Sequence, residues 1–567
     1  MRFHVFATDY DGTLSPYEMV TPDTIESLRK LKSSGRKLVL VTGRQIKDLI
    51  NLFPEHILFD RIVAENGAIL YSPATLEEKV LGNQPPESFI DRLRELKVIP
   101  LEIGRVIVAT WQPNQTIVLE AIKEAGLEHQ VIFNKGAVMI LPPGINKSSG
   151  LHEALKDLLL SAHNTVAIGD AENDHAMLQS AEIAVAVQNA LPTLKAEADW
   201  TTINPCNLGV MEVIDQLLLD DLASINLPLT RHDLQMGQKS DNTLFCISPY
   251  GNNILVAGSS CCGKTTFTKA FVEQLITGGY QFCLVDPEGD YLDLQGVLNM
   301  GNDEQPPVIP EVMKMMRESV QNLVVCVLAI PFYERAAFFQ KLLANIADLY
   351  KNTGRPHFII MDEAHHLIPN EINDSGIGAQ KELPALFAIT TKANLVHRNY
   401  LVKVDTLIIM GTSPDLTVAG TKKLIGFTAE IPKNILLQKG EILVWQKRNN
   451  QLSFVRSELP SHLGRRHKRK YASGDLGIDS FYFTGAERKF NIKASNLMMF
   501  IQIAGSIDPE TWLFHLYRND YSKWFRGSIK DEVLASRAEK IECNTTDAEL
   551  SRNKIFQLIQ NRYTGPG

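Results

Sequence analysis

Short apolar runs alternate with stretches of helical period from the start of the chain to about residue 222. The runs "HVFATDY", "KLVLVTG", "RIVAENG" and "TVAIGDAEND" each end in polar or glycine residues. Continuous apolar runs of this length, bounded by turn residues, predict buried strands. Between them lie helix patterns such as "TPDTIESLRKLKSSG", with Thr21 as cap, Pro22 in the first turn and Gly35 past the end. Alternation of this kind predicts a parallel sheet with helices on its faces. Ligands of such sheets lie beyond the carboxyl ends of the strands.

The rhythm breaks at about residues 83–145, where "RVIVATWQP", "NQTIVLEAIKEAGL" and "HQVIFNKGAVMILPPG" predict a small α+β insert. Residues 223–243, with the polar stretch "TRHDLQMGQKSDN", read as a linker. A second α/β pattern covers 244–460, followed by the basic join "GRRHKRKYASGDLG". Residues 465–567 predict a mostly helical accessory domain, and the aromatics from Trp512 to Phe525 are spaced for helix packing.

Bulk properties narrow the function. With 44% hydrophobic and 22% charged residues, a chain of 567 residues has ample core for several domains. A net charge of −8 argues against a chain coated with nucleic acid but leaves room for local basic patches. The seven cysteines show no CxxC spacing, which argues against a zinc site or disulfide framework and points to a reducing, cytoplasmic setting. No apolar run has the length of a membrane span and the start lacks a signal-peptide pattern, so no membrane partner is expected.

The chemistry concentrates in two places. In "ATDYDGTLSP", Asp9 and Asp11 stand two apart at the end of an apolar run and therefore point the same way on an extended strand. Thr42 ends "LVLVTGR", Lys147 opens a helix in "PPGINKSSG", and "IGDAEND" supplies Asp170 and Asp174. A carboxylate nucleophile, carboxylates for a hard cation such as Mg2+, and donors for phosphate oxygens are the set that phosphoryl transfer requires.

"DYDGTL", "VTGR", the lysine of "NKSSG" and "GDAEND" resemble, in order, the four motifs of haloacid dehalogenase superfamily phosphatases. "AENGA" and the place of the insert resemble the Cof-like subclass with an α+β cap, which includes sugar phosphatases. The resemblance covers about 220 residues and implies a Rossmann-like core with a cap. It implies Asp9 as the nucleophile that forms an aspartyl-phosphate and Asp11 as the acid and base. Thr42 and Lys147 would hold the phosphoryl group, and Asp9, Asp11, Asp170 and Asp174 would surround Mg2+. Ala171 departs from the commoner "GDGxND" but leaves the acids intact.

The second place is "NILVAGSSCCGKTTFTKAF", where Gly258, Gly263, Lys264 and Thr265 match GxxxxGK[ST] between an apolar strand and a helix. That context predicts a phosphate-binding loop for ATP, with Thr266 beside it and Thr265 on Mg2+. Cys261 stands where many such loops have glycine. "HFIIMDEAHHL" supplies Asp362 for the Mg2+ shell and Glu363 to polarise water, while His365 and His366 read as supporting or core residues. These segments resemble HerA-type ATPases, relatives of FtsK, over about 200 residues. The expected protein is a Mg2+-dependent phosphatase of small metabolites, plausibly sugar phosphates, fused to an ATPase. The alternative is nucleic-acid processing, by an end-healing phosphatase or a ring-forming HerA-like DNA-dependent ATPase, with "RRHKRK" (465–470) as its basic patch.

Overall fold

A computed structural model describes the chain except residues 18, 226–229, 261, 319–320, 373–375, 379, 381, 412, 432–436, 439, 461–475, 477–478, 486–490, 530, 561–562 and 564–567. The basic cluster 465–470 and Cys261 therefore lie outside the described residues.

The apolar runs form the centre of an eight-stranded sheet. Its strands are β1 (Val5–Asp9), β2 (Lys37–Val41), β3 (Arg61–Ala64), β4 (Ile69–Ser72) and β5 (Glu77–Val80). The chain then builds the insert: a four-stranded antiparallel sheet of β6 (Glu102–Ile103), β7 (Val108–Trp111), β8 (Gln130–Asn134) and β9 (Ala137–Leu141), with helices Glu87–Glu95 and Gln115–Glu124. It returns to the first sheet as β10 (Thr165–Gly169), β11 (Ile183–Ala186) and β12 (Trp200–Thr201). The order is β12-β11-β10-β1-β2-β3-β4-β5, parallel from β12 to β3. Every residue of β1 and β10 is buried, as continuous apolar strands with helices on both faces require.

A second sheet follows, with β13 (Leu234–Lys239), β14 (Leu244–Ile247), β15 (Ile254–Gly258), β16 (Phe282–Asp286), β17 (Leu298–Met300), β18 (Leu323–Cys326), β19 (Phe358–Met361), β20 (Ala385–Thr390), β21 (Thr406–Met410), β22 (Glu441–Gln446) and β23 (Gln451–Ser457). Its order is β14-β13-β23-β22-β21-β15-β20-β19-β16-β18-β17. The 223–243 segment is thus not a linker throughout: β13 pairs antiparallel with both β14 and β23. Leu234 and Met236 turn inward while Gln235 and Gln238 face water, so one face of this strand is polar. Its pairing with β14 shifts register between Gln235 and Gly237, and a side chain at Gly237 would collide with the Arg456 carbonyl.

The two α/β domains form one compact unit. At their junction the His163 ring stacks on Tyr280, with centroids 3.7 Å apart. Its Nδ1 lies 2.9 Å from Glu182 Oε2 and its Nε2 lies 2.6 Å from the Gly278 carbonyl. Asn164 donates to the Gly354 carbonyl and His357 Nε2 meets Asn164 Oδ1.

The other compact unit holds the C-terminal residues. Its described residues form the hairpin of β24 (Phe481–Phe483) and β25 (Ile492–Ala494), then helices Leu497–Ser506, Pro509–Tyr517, Asp520–Gly527, Glu532–Asn544 and Ala548–Ile559. Trp512, Tyr521, Trp524 and Phe525 are buried, and Trp512 stacks on Tyr521. These aromatics pack a core. No helix among the described residues is long and apolar enough to cross a membrane.

Candidate active site

Four chain segments converge at the carboxyl edge of the first sheet. Asp9 ends β1. Gly12 follows in a turn with φ +84°, where a Cβ would collide with Asp170 Oδ2 and Lys135 Nζ. Only glycine takes that backbone without strain and leaves that space. Lys147 is the first residue of helix Lys147–Asp157, which Asn146 caps by accepting from the Ser149 amide. Asp170 follows β10 directly, and a side chain at Gly169 would meet Asp174.

Lys147 ties the acids together. Its Nζ donates to Asp9 Oδ1 and Asp174 Oδ1, both at 2.6 Å. All three side chains are 5% exposed or less. Asp174 Oδ2 accepts from the Asp170 and Ala171 amides at 3.0 Å, so each of its oxygens is held. Asp170 Oδ2 accepts from Lys135 Nζ at 2.6 Å. Asp170 Oδ1 is buried and has no hydrogen-bond partner among the described residues.

Burial, and then the neighbouring Asp174 charge, push the Asp9 carboxyl up to about 8 despite Lys147. Burial also raises Asp170, against the pull of Lys135. Burial alone would lower Lys147, yet Asp174 and Asp9 hold it above the ordinary lysine range. Lys147 thus serves Asp9 and Asp174 while the half-exposed Lys135 serves Asp170, so three buried acids face two ammonium groups.

Oxygens of Asp9, Asp170 and Asp174 lie within 4.8 Å of one another. Hard carboxylate oxygens, one of them an orphan, are the donor set for Mg2+. The residues present fit that ion through Asp9 and Asp170, with Asp174 orienting the site. Asp11, placed with the metal ligands on sequence grounds, is not in this cluster. Its carboxylate is 41% exposed and takes a bidentate pair of bonds from Arg44, at 2.8 and 2.6 Å. Thr42 is buried, and its Oγ1 accepts from the Arg44 amide at 3.1 Å.

Sequence reasoning missed several contributors. Arg44 follows the "VTG" run and holds Asp11. Glu65, 2% exposed, accepts from the amides of Arg105, Val106 and Ile107, and so fastens the core to the insert. Asn66 accepts from Asn173, and its amide reaches Met139 on β9. Lys135 comes from the tip of the β8–β9 hairpin. The positive φ of Asn66 is the sort of position its residue type predicts; Lys135 carries no such signal.

In the second domain, Lys264 opens helix Lys264–Thr277 behind Gly263, whose φ is +107°. Its Nζ donates to the Gly258 and Ser259 carbonyls at 3.0 and 2.9 Å. Thr265 and Thr266 occupy the first turn, partly exposed. Asp362 follows β19, which lies one strand away from β15 across β20. Asp362 Oδ1 accepts from the Glu363 amide at 3.0 Å, and Glu363 Oε2 accepts from Thr391. His365 is buried against Thr390 and 3.4 Å from Glu363.

Residues 6–108 and 112–214 match the family described as haloacid dehalogenase-like hydrolase. Over 218 residues the chain is 34% identical to phosphoglycolate phosphatase 2 of Saccharolobus solfataricus, covering 37% of this chain and 91% of that protein. It is 28% identical over 229 residues to the phosphoglycolate phosphatase of Nitrosopumilus maritimus, covering 38% and 97%. A solved haloacid dehalogenase-like hydrolase from Bacteroides thetaiotaomicron matches at 19% identity with a TM-score of 0.34, over 38% of this chain and 99% of that one.

Proposed function

Because the chain belongs, through residues 6–214, to the haloacid dehalogenase-like hydrolases, we propose that its first domain hydrolyses small phosphomonoesters through an aspartyl-phosphate. The observation that carries this reading is Lys147 held between Asp9 and Asp174, beside an Asp170 oxygen with no partner among the described residues.

Asp9 attacks the phosphorus, and the bond to the leaving alcohol breaks. Asp11 gives that alcohol its proton, then takes one from the water that attacks the acyl phosphate and frees inorganic phosphate. For this, Asp11 turns inward from Arg44, a movement its partial exposure allows. Lys147 and the Thr42 hydroxyl stabilise the phosphoryl oxygens as charge builds on them. Asp9 and Asp170 would hold Mg2+, which when bound would supply the remaining positive charge and favour the ionised form of Asp9. The insert over the site acts as a cap that excludes water.

Two substrate groups deserve a first trial: phosphoglycolate, named for the relatives, and sugar phosphates. Phosphate release from these, beside 3′- or 5′-phosphorylated oligonucleotides, tests the reading. Turnover confined to oligonucleotide ends would replace it with nucleic-acid repair.

The second domain, in this proposal, binds and hydrolyses ATP. Supporting it are Lys264, Thr265 and Thr266 at a helix start after β15, with Asp362 and Glu363 one strand removed. Loss of ATP hydrolysis in Lys264→Ala, with phosphatase turnover kept, is the expected result.

A further inference from the structure

Among the described residues three cations face the acids of the first site, and two are buried or doubly bonded in ion pairs. Lys147 is 1% exposed between Asp9 and Asp174, and Arg44 grips Asp11 with two bonds. The third, Lys135, is different. It belongs to the insert, its side chain is 49% exposed, and its ammonium is paired with Asp170 Oδ2. Asp170 is also a candidate ligand for a cation, so a bound cation and Lys135 would compete for its charge.

The placement of Lys135 is built into the hairpin. Asn134 pairs with Ala137, which leaves Lys135 and Gly136 as a two-residue turn with φ of +47° and +93°. Positive φ at both central residues marks the tight hairpin turn that matches strand twist. A lysine in the first of these positions is sterically unfavourable, since asparagine, aspartate and glycine adopt it more easily. The turn carries Lys135 to the Gly12 loop, where a Cβ on Gly12 would strike its Nζ. Met139 from β9 reaches Asn66 and lies close to Gly43 on the same side.

We infer that Lys135 is a specificity residue that binds a second anionic group of the substrate, making small phosphorylated carboxylic acids the preferred class. This rests on the phosphatase reading above. A phosphoryl group at Asp9 would leave a carboxylate two or three atoms away facing the Lys135 ammonium. A charged hydrogen bond in a partly desolvated site discriminates strongly against a neutral hydroxyl in the same place.

The test is equilibrium binding by calorimetry to the full-length Asp9→Asn protein with Mg2+, using 2-phosphoglycolate and its neutral analogue 2-hydroxyethyl phosphate. The acid is expected to bind about tenfold or more tightly than the alcohol, the range of one charged hydrogen bond. Lys135→Met is expected to remove most of that preference, and Lys135→Arg to keep it. Equal binding of the two compounds, no binding of either, or a preference that survives Lys135→Met would overturn the inference. Phosphate release by the protein carrying Asp9 is measured beside it. Release without a preference defeats only the role of Lys135; a Lys135-dependent preference without release from any phosphomonoester defeats only the phosphatase reading.

Discussion

Lys147 Nζ lies 2.6 Å from Asp9 Oδ1, with both side chains almost wholly buried. Removing the ammonium strands two buried carboxylates together. Lys147→Met is therefore expected to lower stability by about 3–5 kcal/mol, the cost of breaking a buried pair from one side. It is also expected to abolish phosphate release. Thermal unfolding and a turnover assay check both.

Cation binding should depend on pH in a defined direction. Burial and Asp174 raise the Asp9 carboxyl from 3.8 to about 8, so in the metal-free protein protons compete for it through neutral pH. A metal ligand must be deprotonated, so Mg2+ has to displace them. Affinity is expected to rise from pH 6.5 to 8.5, with proton release that fades above pH 8. Calorimetric titration in buffers of different ionisation enthalpy measures this.

The insert should loosen when its anchor is weakened. Glu65 accepts three amide bonds from Arg105, Val106 and Ile107. In Glu65→Gln one acceptor becomes a donor facing amide donors, which costs about 1–3 kcal/mol for the group left unsatisfied. Hydrogen exchange at residues 105–107 is expected to accelerate, with the sheet core unaffected.

The junction between the α/β domains should weaken in mild acid. Burial lowers His4 from 6.5 to about 4 and holds His357 well below the ordinary range. The unfolded chain then binds protons that the folded one refuses. Stability is complete above pH 6.5 and is lost as pH falls below it. A melting temperature lower at pH 5 than at pH 7.5 is the expected reading, and His357→Gln should reduce the difference.

The strand-end acids were legible because buried parallel strands read as continuous apolar runs. Asp9, Thr42 and Asp170 each follow such a run, and Lys147 follows a recognisable helix cap. Asp11 joins the metal set only through the family resemblance, and strand spacing predicts no more than that it points the same way as Asp9. The turn at Gly12 and the guanidinium of Arg44 draw it to the mouth instead. Lys135 was invisible because its role arises from a hairpin folding back over a distant strand end. Strand β13 was hidden by its polar face and its register shift. Of the aromatics from Trp512 to Phe525, whose spacing predicts packing, Trp512, Tyr521, Trp524 and Phe525 build the core while Tyr517 is 60% exposed.

The most direct test of the account is Mg2+-dependent phosphate release from 2-phosphoglycolate and a panel of sugar phosphates, comparing the protein with Asp9→Asn. The substitution keeps the shape of the side chain and removes its nucleophilic oxygen. The account predicts turnover in the parent, with a phosphorylated protein trapped on rapid acid quench, and loss of both in Asp9→Asn. Equal turnover in the two proteins, or none in the parent with any phosphomonoester, would contradict it.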